Sequence, residues 1–248
     1  MNRLAIIVVF LFCNELLAQN NHEKLVFELR FGFIKGGEAV YQISETAGDN
    51  GNEIHAILHG YTTGLANKLY AVDDRFESFI SKEHLLPSRA LKQLKEQSFR
   101  FDEEVTFNHN EEMAFSNNSG WRPIKSGICD VSSLMYHLRY SGKLDQLNLN
   151  QIIEIPFWDT DEWYMLKLKY TGIEKIKSPF GTIACLRLEP QEIAGRFFNK
   201  KNPINIWVSN DVRRLPVLME LNFTIGSVKC ELTPPPPACL PVGKEGGA

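Results

Sequence analysis

Cysteine is scarce in this chain, with five in 248 residues, no Cys-x-x-Cys pair and no His/Cys cluster at zinc-ligand spacing. A zinc-held fold requires such spacing, so no metal site is expected. An excess of one charge is missing as well: 27 Lys and Arg stand against 30 Asp and Glu, a net charge of −3. The bases are dispersed, which leaves no electrostatic footprint for nucleic acid. Beyond the N-terminus no apolar run approaches the roughly 20 residues of a membrane-spanning helix. The chain also lacks a Gly-x-Ser-x-Gly elbow, a P-loop and a dinucleotide fingerprint, so nucleotide chemistry and the common serine-hydrolase design are not expected, nor is any cofactor.

What stands at the start is an export signal. Arg3 gives a basic first region, Leu4 to Phe12 form an apolar run too short to span a bilayer, and Leu16-Leu17-Ala18 offers a cleavage point before Gln19. Residues 1–18 are therefore read as a cleavable signal peptide. The expected location is the periplasm or outer cell envelope. Leu11-Phe12 before Cys13 are too large for lipoprotein processing, so Cys13 is expected to be discarded with the signal.

The next segment alternates without a break: Leu25, Phe27, Leu29, Phe31 and Phe33 occupy every second position. Period two is the mark of a strand with one buried face. Lys35-Gly36-Gly37 is a turn, and Glu38 to Ser44 returns as a second strand. Strand patterns recur at 53–61, 75–81, after Pro87, 98–107, 152–157, 163–171, 173–177, 182–189, 204–209, 216–223 and 227–232. A short helix is expected at Thr63 to Tyr70, and the polar stretch Asn108 to Ser126 is read as a hairpin loop or exposed excursion. The spans Phe79 to Pro87 and Trp207 to Pro216 echo each other, with an aromatic strand end, a Ser, a polar turn and Leu-Pro opening the next strand.

One helix stands out over about 129–141. Asp130 is a good N-cap, Val131, Leu134, Met135 and Leu138 make a helical apolar stripe, His137 falls on the polar side, and Gly142 ends it. So many strands with short turns exclude a parallel βαβ sheet. The expected fold is mainly β: a large curved antiparallel sheet or open half-barrel with that helix packed against it. It forms one β-rich domain over residues 19–232, followed by a Pro/Gly-rich, disordered tail at 233–248.

Several ordered blocks resemble a known family. They are Phe31-Gly-Phe-Ile-Lys-Gly-Gly-Glu-Ala, Asp74-Arg-Phe-Glu-Ser-Phe with Leu86-Pro87, Glu103-Glu-Val-Thr-Phe, Asp130-Val-Ser-Ser-Leu-Met-Tyr-His-Leu-Arg, Lys177-Ser-Pro-Phe-Gly-Thr and Ile206-Trp-Val-Ser-Asn-Asp-Val-Arg-Arg-Leu-Pro-Val. The set is similar to the bacterial envelope family of domain of unknown function 3108. The resemblance implies an exported antiparallel β domain, broadly of the type of periplasmic carriers that hold acyl chains in a half-barrel. It implies no settled activity.

Candidate site residues are few. Asp73 and Asp74 are adjacent, and neighbouring strand residues face opposite sides, so they read as solvated or ion-paired rather than as an acid–base pair. Asp159, Asp161 and Glu162 lie in a Trp-flanked turn with too few oxygen ligands for calcium. His55 and His59 share a strand face and, with Asp74, make a candidate polar site. Cys185 reads as a small buried residue beside Ile183. Cys230 and Cys239 are spaced to close a C-terminal loop, against which the stiff proline run between them counts. The aromatic load is the stronger signal: Phe27, Phe76, Phe99, Trp163 and Trp207 are candidate ligand-binding residues if the sheet is open, and core filling if it is closed. The expected function is a non-enzymatic binder of an apolar ligand such as an acyl chain. The alternatives are a partner-binding or structural module of the envelope and, less favoured, a hydrolytic enzyme.

Overall fold

The computed structural model describes residues 22–48, 51–191, 204–223 and 226–234. The signal peptide, Phe197, Phe198, Cys239 and all but the first residues of the C-terminal tail lie outside the described residues. The strands are β1 (Glu23–Phe31), β2 (Ile34–Gly48), β3 (Gly51–Thr62), β4 (Asp73–Ser81), β5 (Pro87–Glu96), β6 (Phe99–Asn108), β7 (Met113–Ser116), β8 (Gly120–Pro123), β9 (Ile152–Asp159), β10 (Glu162–Ser178), β11 (Gly181–Pro190), β12 (Ile204–Ser209), β13 (Pro216–Phe223) and β14 (Gly226–Thr233). Two helices join them, α1 (Gly64–Leu69) and α2 (Val131–Tyr140).

All fourteen strands form one antiparallel sheet in the order β8-β7-β6-β5-β4-β3-β2-β1-β14-β13-β12-β11-β10-β9. The first and last strands of the chain pair in the middle of this order, from Val26 opposite Thr233 to Phe31 opposite Val228. The two sheet edges are consecutive in sequence, β8 and β9. A twisted sheet this wide must curl, and the segment joining its edges is then placed to enter the curl. That segment carries α2.

The helix divides the interior. Met135 and Tyr136 pack on a cluster built from Leu25, Phe27, Tyr41, Ile43, Ile54, Ala56, Ile80, Cys230 and Leu232. Leu134 and Leu138 pack on a second cluster that includes Ile153, Ile155, Leu168, Tyr170, Leu186, Leu188 and Val208. The expected stripe therefore meets core on both sides, and its members are half-buried. The buried helix residues are polar: Ser132, Ser133, His137 and Arg139. His137 is thus not on a solvated side; its Nδ1 lies 3.1 Å from the Leu85 carbonyl, and burial lowers the imidazole pKa. Arg139 is held by Glu23 at 2.5 and 2.9 Å and donates to the Arg213 carbonyl at 3.1 Å. Polar residues that a helix buries in a roll must find partners there.

The polar stretch after residue 108 is not a loop. It contains β7 and β8, a hairpin that extends the sheet, with Met113 opposite Pro123. The two strand patterns at 163–171 and 173–177 are one strand, β10, with a bulge between Tyr170 and Gly172. The sequence echo has a structural counterpart. Bulges fall between Phe79 and Ile80 and between Trp207 and Val208. Ser81 N donates to Leu86 O at 3.0 Å, and Ser209 N to Leu215 O at 2.8 Å. The residue before each Leu-Pro, Leu85 and Arg214, has positive φ, 57° and 47°. The order places two six-strand runs, β1–β6 and β9–β14, head to tail. One junction between runs, β1 with β14, is a continuous ladder. At the other, β6 gives its free edge to β7.

Candidate functional site

That second junction closes differently. Across it, among the described residues, β9 meets the rest of the roll through one short bridge: Cys129 N donates to Pro156 O at 2.9 Å and Trp158 N to Cys129 O at 2.8 Å. Everything else in the closure comes from side chains. Lys92 of β5 bonds the Asp159 carboxylate and, at 2.6 Å, the Thr160 hydroxyl. Glu103 of β6 accepts from Trp158 Nε1 at 3.3 Å and from Asp161 N at 2.8 Å. Ser116 Oγ donates to Asp161 at 2.5 Å, and Trp163 Nε1 to the Pro123 carbonyl at 3.0 Å. Thr160 and Asp161, the β9–β10 turn, both have positive φ, 51° and 63°. A two-residue turn of that kind matches strand twist but favours Asn-Gly, so a β-branched Thr there is strained.

A small recess of about 20 Å³, partly open to solvent, sits in this seam. Phe76, Leu91, Val105, Val131 and Trp158 give it apolar walls, and Lys92, Glu103, Asp130 and Asp159 its polar groups. Strand parity puts the key pair there: Lys92 stands opposite Glu103 in the β5–β6 register, and Lys92 opposite Phe76 in the β4–β5 register, all on the inner face. Glu103 is buried, and burial raises its carboxyl pKa against the two hydrogen bonds it accepts.

Asp130 is buried too, and burial raises its pKa. It caps α2: its carboxylate accepts from Ser132 N at 3.0 Å, Ser78 Oγ at 2.5 Å and Ser133 Oγ at 2.7 Å, while Asp130 N donates to Ser133 Oγ at 2.8 Å. The Ser78 and Ser133 hydroxyls are committed to that carboxylate. As arranged, the recess sets Phe76 and Trp158 beside a lysine already paired with Asp159, in a space about the size of one water.

The sequence candidates do not converge. Phe27 is in the first core cluster. Phe76 lines the recess. Phe99 is exposed at the β5–β6 tip. Trp163 lies on the seam. Trp207 is on the opposite face of the sheet from the Leu186–Val208 core, with Cys185 and Val217, its Nε1 donating to Glu174 at 2.8 Å. His55 and His59 are on the outer face, His55 stacked on Phe79 and bonded to Glu77 at 2.7 Å, His59 bonded to Asp73 at 2.7 Å. Asp74 points the other way and accepts from Lys95 N at 3.0 Å. Among the described residues no three His, Cys, Asp or Glu side chains converge as metal ligands, and no helix is long and apolar enough to cross a membrane. Lys92 and Glu103 are the site residues that sequence reasoning passed over. Their signal was a charge inside an apolar alternation: Ala90-x-Lys92-x-Leu94 faces Phe101-x-Glu103-x-Val105.

A rolled antiparallel sheet with an internal helix and an apolar recess at its seam defines a β-barrel-like protein. The family described as "Protein of unknown function (DUF3108)" matches residues 26–233, and the chain belongs to it. The fold is similar to the β-barrel-like protein of domain of unknown function DUF1849 from Brucella abortus, at 10% identity and a TM-score of 0.54, covering 86% of this chain and 95% of that one. A DUF1089 family protein from Pseudomonas aeruginosa also matches, at 10% identity and a TM-score of 0.33, covering 79% and 87% of the two chains. Among curated proteins none matches.

Proposed function

We propose that the chain is an exported, non-catalytic envelope protein that holds an apolar ligand, such as an acyl chain, at the seam recess. The observation that carries this reading is the coincidence of the recess with the stretch of wall that side chains, not a ladder, hold shut. The apolar walls of Phe76, Val105, Val131 and Trp158 suit an acyl chain. As it stands the recess, about 20 Å³, has room for little more than one water, so an acyl chain enters only once the β9–β10 tip lifts. Export rests on the N-terminal signal pattern.

The test is native mass spectrometry and solvent extraction of protein purified from the envelope without detergent, with titration of a fluorescent fatty acid. A bound lipid, and probe binding weakened by Val105→Trp, support the reading. No recovered ligand together with no probe binding removes it.

A second reading, a partner-binding module, is favoured by the β7–β8 hairpin, where Phe115 and Trp121 pair edge-on and stay exposed. Loss of a co-purifying envelope protein on Trp121→Ser, with no lipid in the recess, would select it.

A further inference from the structure

One end of the roll carries a row of projecting apolar side chains that no core explains. The β1–β2 tip presents Phe33, 98% exposed, and Ile34. Next to it α1 has no buried residue, and its Leu65 and Leu69 face solvent, Leu69 at 73% exposure. Phe99 is exposed at the β5–β6 tip.

These projections form one surface. Thr63 N donates to Gly36 O at 2.9 Å, tying α1 to β2. Gln97 Nε2 donates to Leu69 O at 3.0 Å and Tyr70 Oη to Glu96 at 3.0 Å, tying α1 to the β5–β6 tip.

At the tips themselves bases outnumber acids. Residues 30–35, 63–70 and 95–100 hold five bases, Arg30, Lys35, Lys68, Lys95 and Arg100, and one acid, Glu96, in a chain of net charge −3. Glu28 and Glu38 pair with Arg30 and Lys35, and Asp73 and Asp74 follow α1, so the basic charge at the tips is carried by Lys68, Lys95 and Arg100.

We infer that this end docks on the surface of an anionic phospholipid bilayer, with Phe33 and Leu69 entering the interface and the basic collar meeting headgroups. Separate protrusions with apolar apices fit poorly against a rigid protein surface but well into a fluid interface. Apolar insertion and basic attraction reinforce each other there. The docking surface is distinct from the seam recess and stands without it.

The test uses the full chain purified from its envelope fraction and sedimented with vesicles of phosphatidylethanolamine and phosphatidylglycerol, or of phosphatidylcholine alone. Binding is expected on the anionic vesicles, and Phe33→Ser with Leu69→Ser should lower it by roughly tenfold or more. Both residues are solvent-exposed, so the variant should keep the wild-type circular dichroism and melting midpoint. In a Phe33→Trp variant, brominated lipid should quench the added emission. Equal binding by wild type and the double variant would place the membrane contact elsewhere, for example in the apolar N-terminal residues, and overturns the proposal. Absence of binding overturns it too, as does a dimer that Phe33→Ser dissociates in the absence of vesicle binding, which would make a second copy the occupant.

Discussion

Lys92 and Glu103 stand directly opposite each other on β5 and β6, on the same inner face, yet neither bonds the other. The lysine reaches to Asp159 and Thr160, while the glutamate takes its hydrogen bonds from Trp158 and Asp161. A cross-strand pair of opposite charge is the expected local partnership. Here both members cross the seam instead, and together they hold the β9–β10 tip against the roll.

The seam should be sensitive to the charge state of Glu103. Burial raises its carboxyl above the ordinary carboxylate range, so the folded chain binds a proton more tightly than the unfolded one. Stability from this group is then full below the unfolded value and falls as pH rises through the folded one. Glu103→Gln keeps a carbonyl oxygen for Trp158 Nε1 and Asp161 N and removes the cost of ionisation. A melting midpoint equal to or above wild type at neutral pH, and a flatter pH profile above the carboxylate range, are expected by calorimetry.

The β9–β10 turn holds strain that a better turn residue would relieve. Asn tolerates positive φ where Thr does not, so Thr160→Asn should stabilise by about 0.5–1 kcal/mol in urea unfolding. A loss of stability would mean that the Thr160 hydroxyl contact to Lys92 outweighs the backbone strain.

Asp130 combines a helix cap with a buried hub of donors. Asp130→Ala removes the cap and leaves Ser78, Ser133 and the Ser132 amide without their acceptor, so a loss of about 2–4 kcal/mol is expected. Asp130→Asn, which retains one acceptor oxygen, should lose less. Equal losses would show that the hub depends on the full carboxylate.

Glu23, near the start of β1, holds a guanidinium whose side chain is 3% exposed. Glu23→Ala strands that charge inside the roll, and because Glu23 itself is partly solvated the cost should be roughly 1–3 kcal/mol. Arg139→Met, which removes the charge and keeps the packing, should cost less; denaturant midpoints of the two variants decide it.

The thiols should be silent in the native protein. Cys129, Cys185 and Cys230 are buried and free. Burial pushes Cys185 up to about 11 and Cys230 up to about 12 and raises Cys129 further. A thiol reagent at neutral pH should reach these three only after unfolding, which peptide mapping of the labelled chain can check.

Alternation made the strands legible, because a sheet with one buried face writes period two into its sequence: Leu25, Phe27 and Leu29 are an example. The Asp130 cap and the Leu134/Leu138 stripe announced α2 for an equally local reason. The bulged hairpins at Phe79 and Trp207 were visible as an echo because each depends on its own short run of residues. Where local pattern misled, a long-range contact had decided the outcome. Gly172 only interrupts β10 when the pairing of Tyr170 with Leu188 is unknown, and the polar run after 108 becomes β7–β8 because β6 offers it an edge.

The aromatic candidates show the same division. Period two assigns Phe27, Phe76, Phe99, Trp163 and Trp207 to strand faces, but it cannot say which face turns inward once the sheet rolls, or which strand ends protrude. Sequence by itself determined an antiparallel, mostly β chain with a capped amphipathic helix, since those properties are set by side-chain period and by residues three or four apart. Only the tertiary structure decided that β1 pairs with β14, that β8 and β9 are left as edges, and that α2 lies inside. Those outcomes depend on how a twisted fourteen-strand sheet curls round, and that curl brings Lys92, Glu103, Trp158 and Asp159 together from segments more than fifty residues apart.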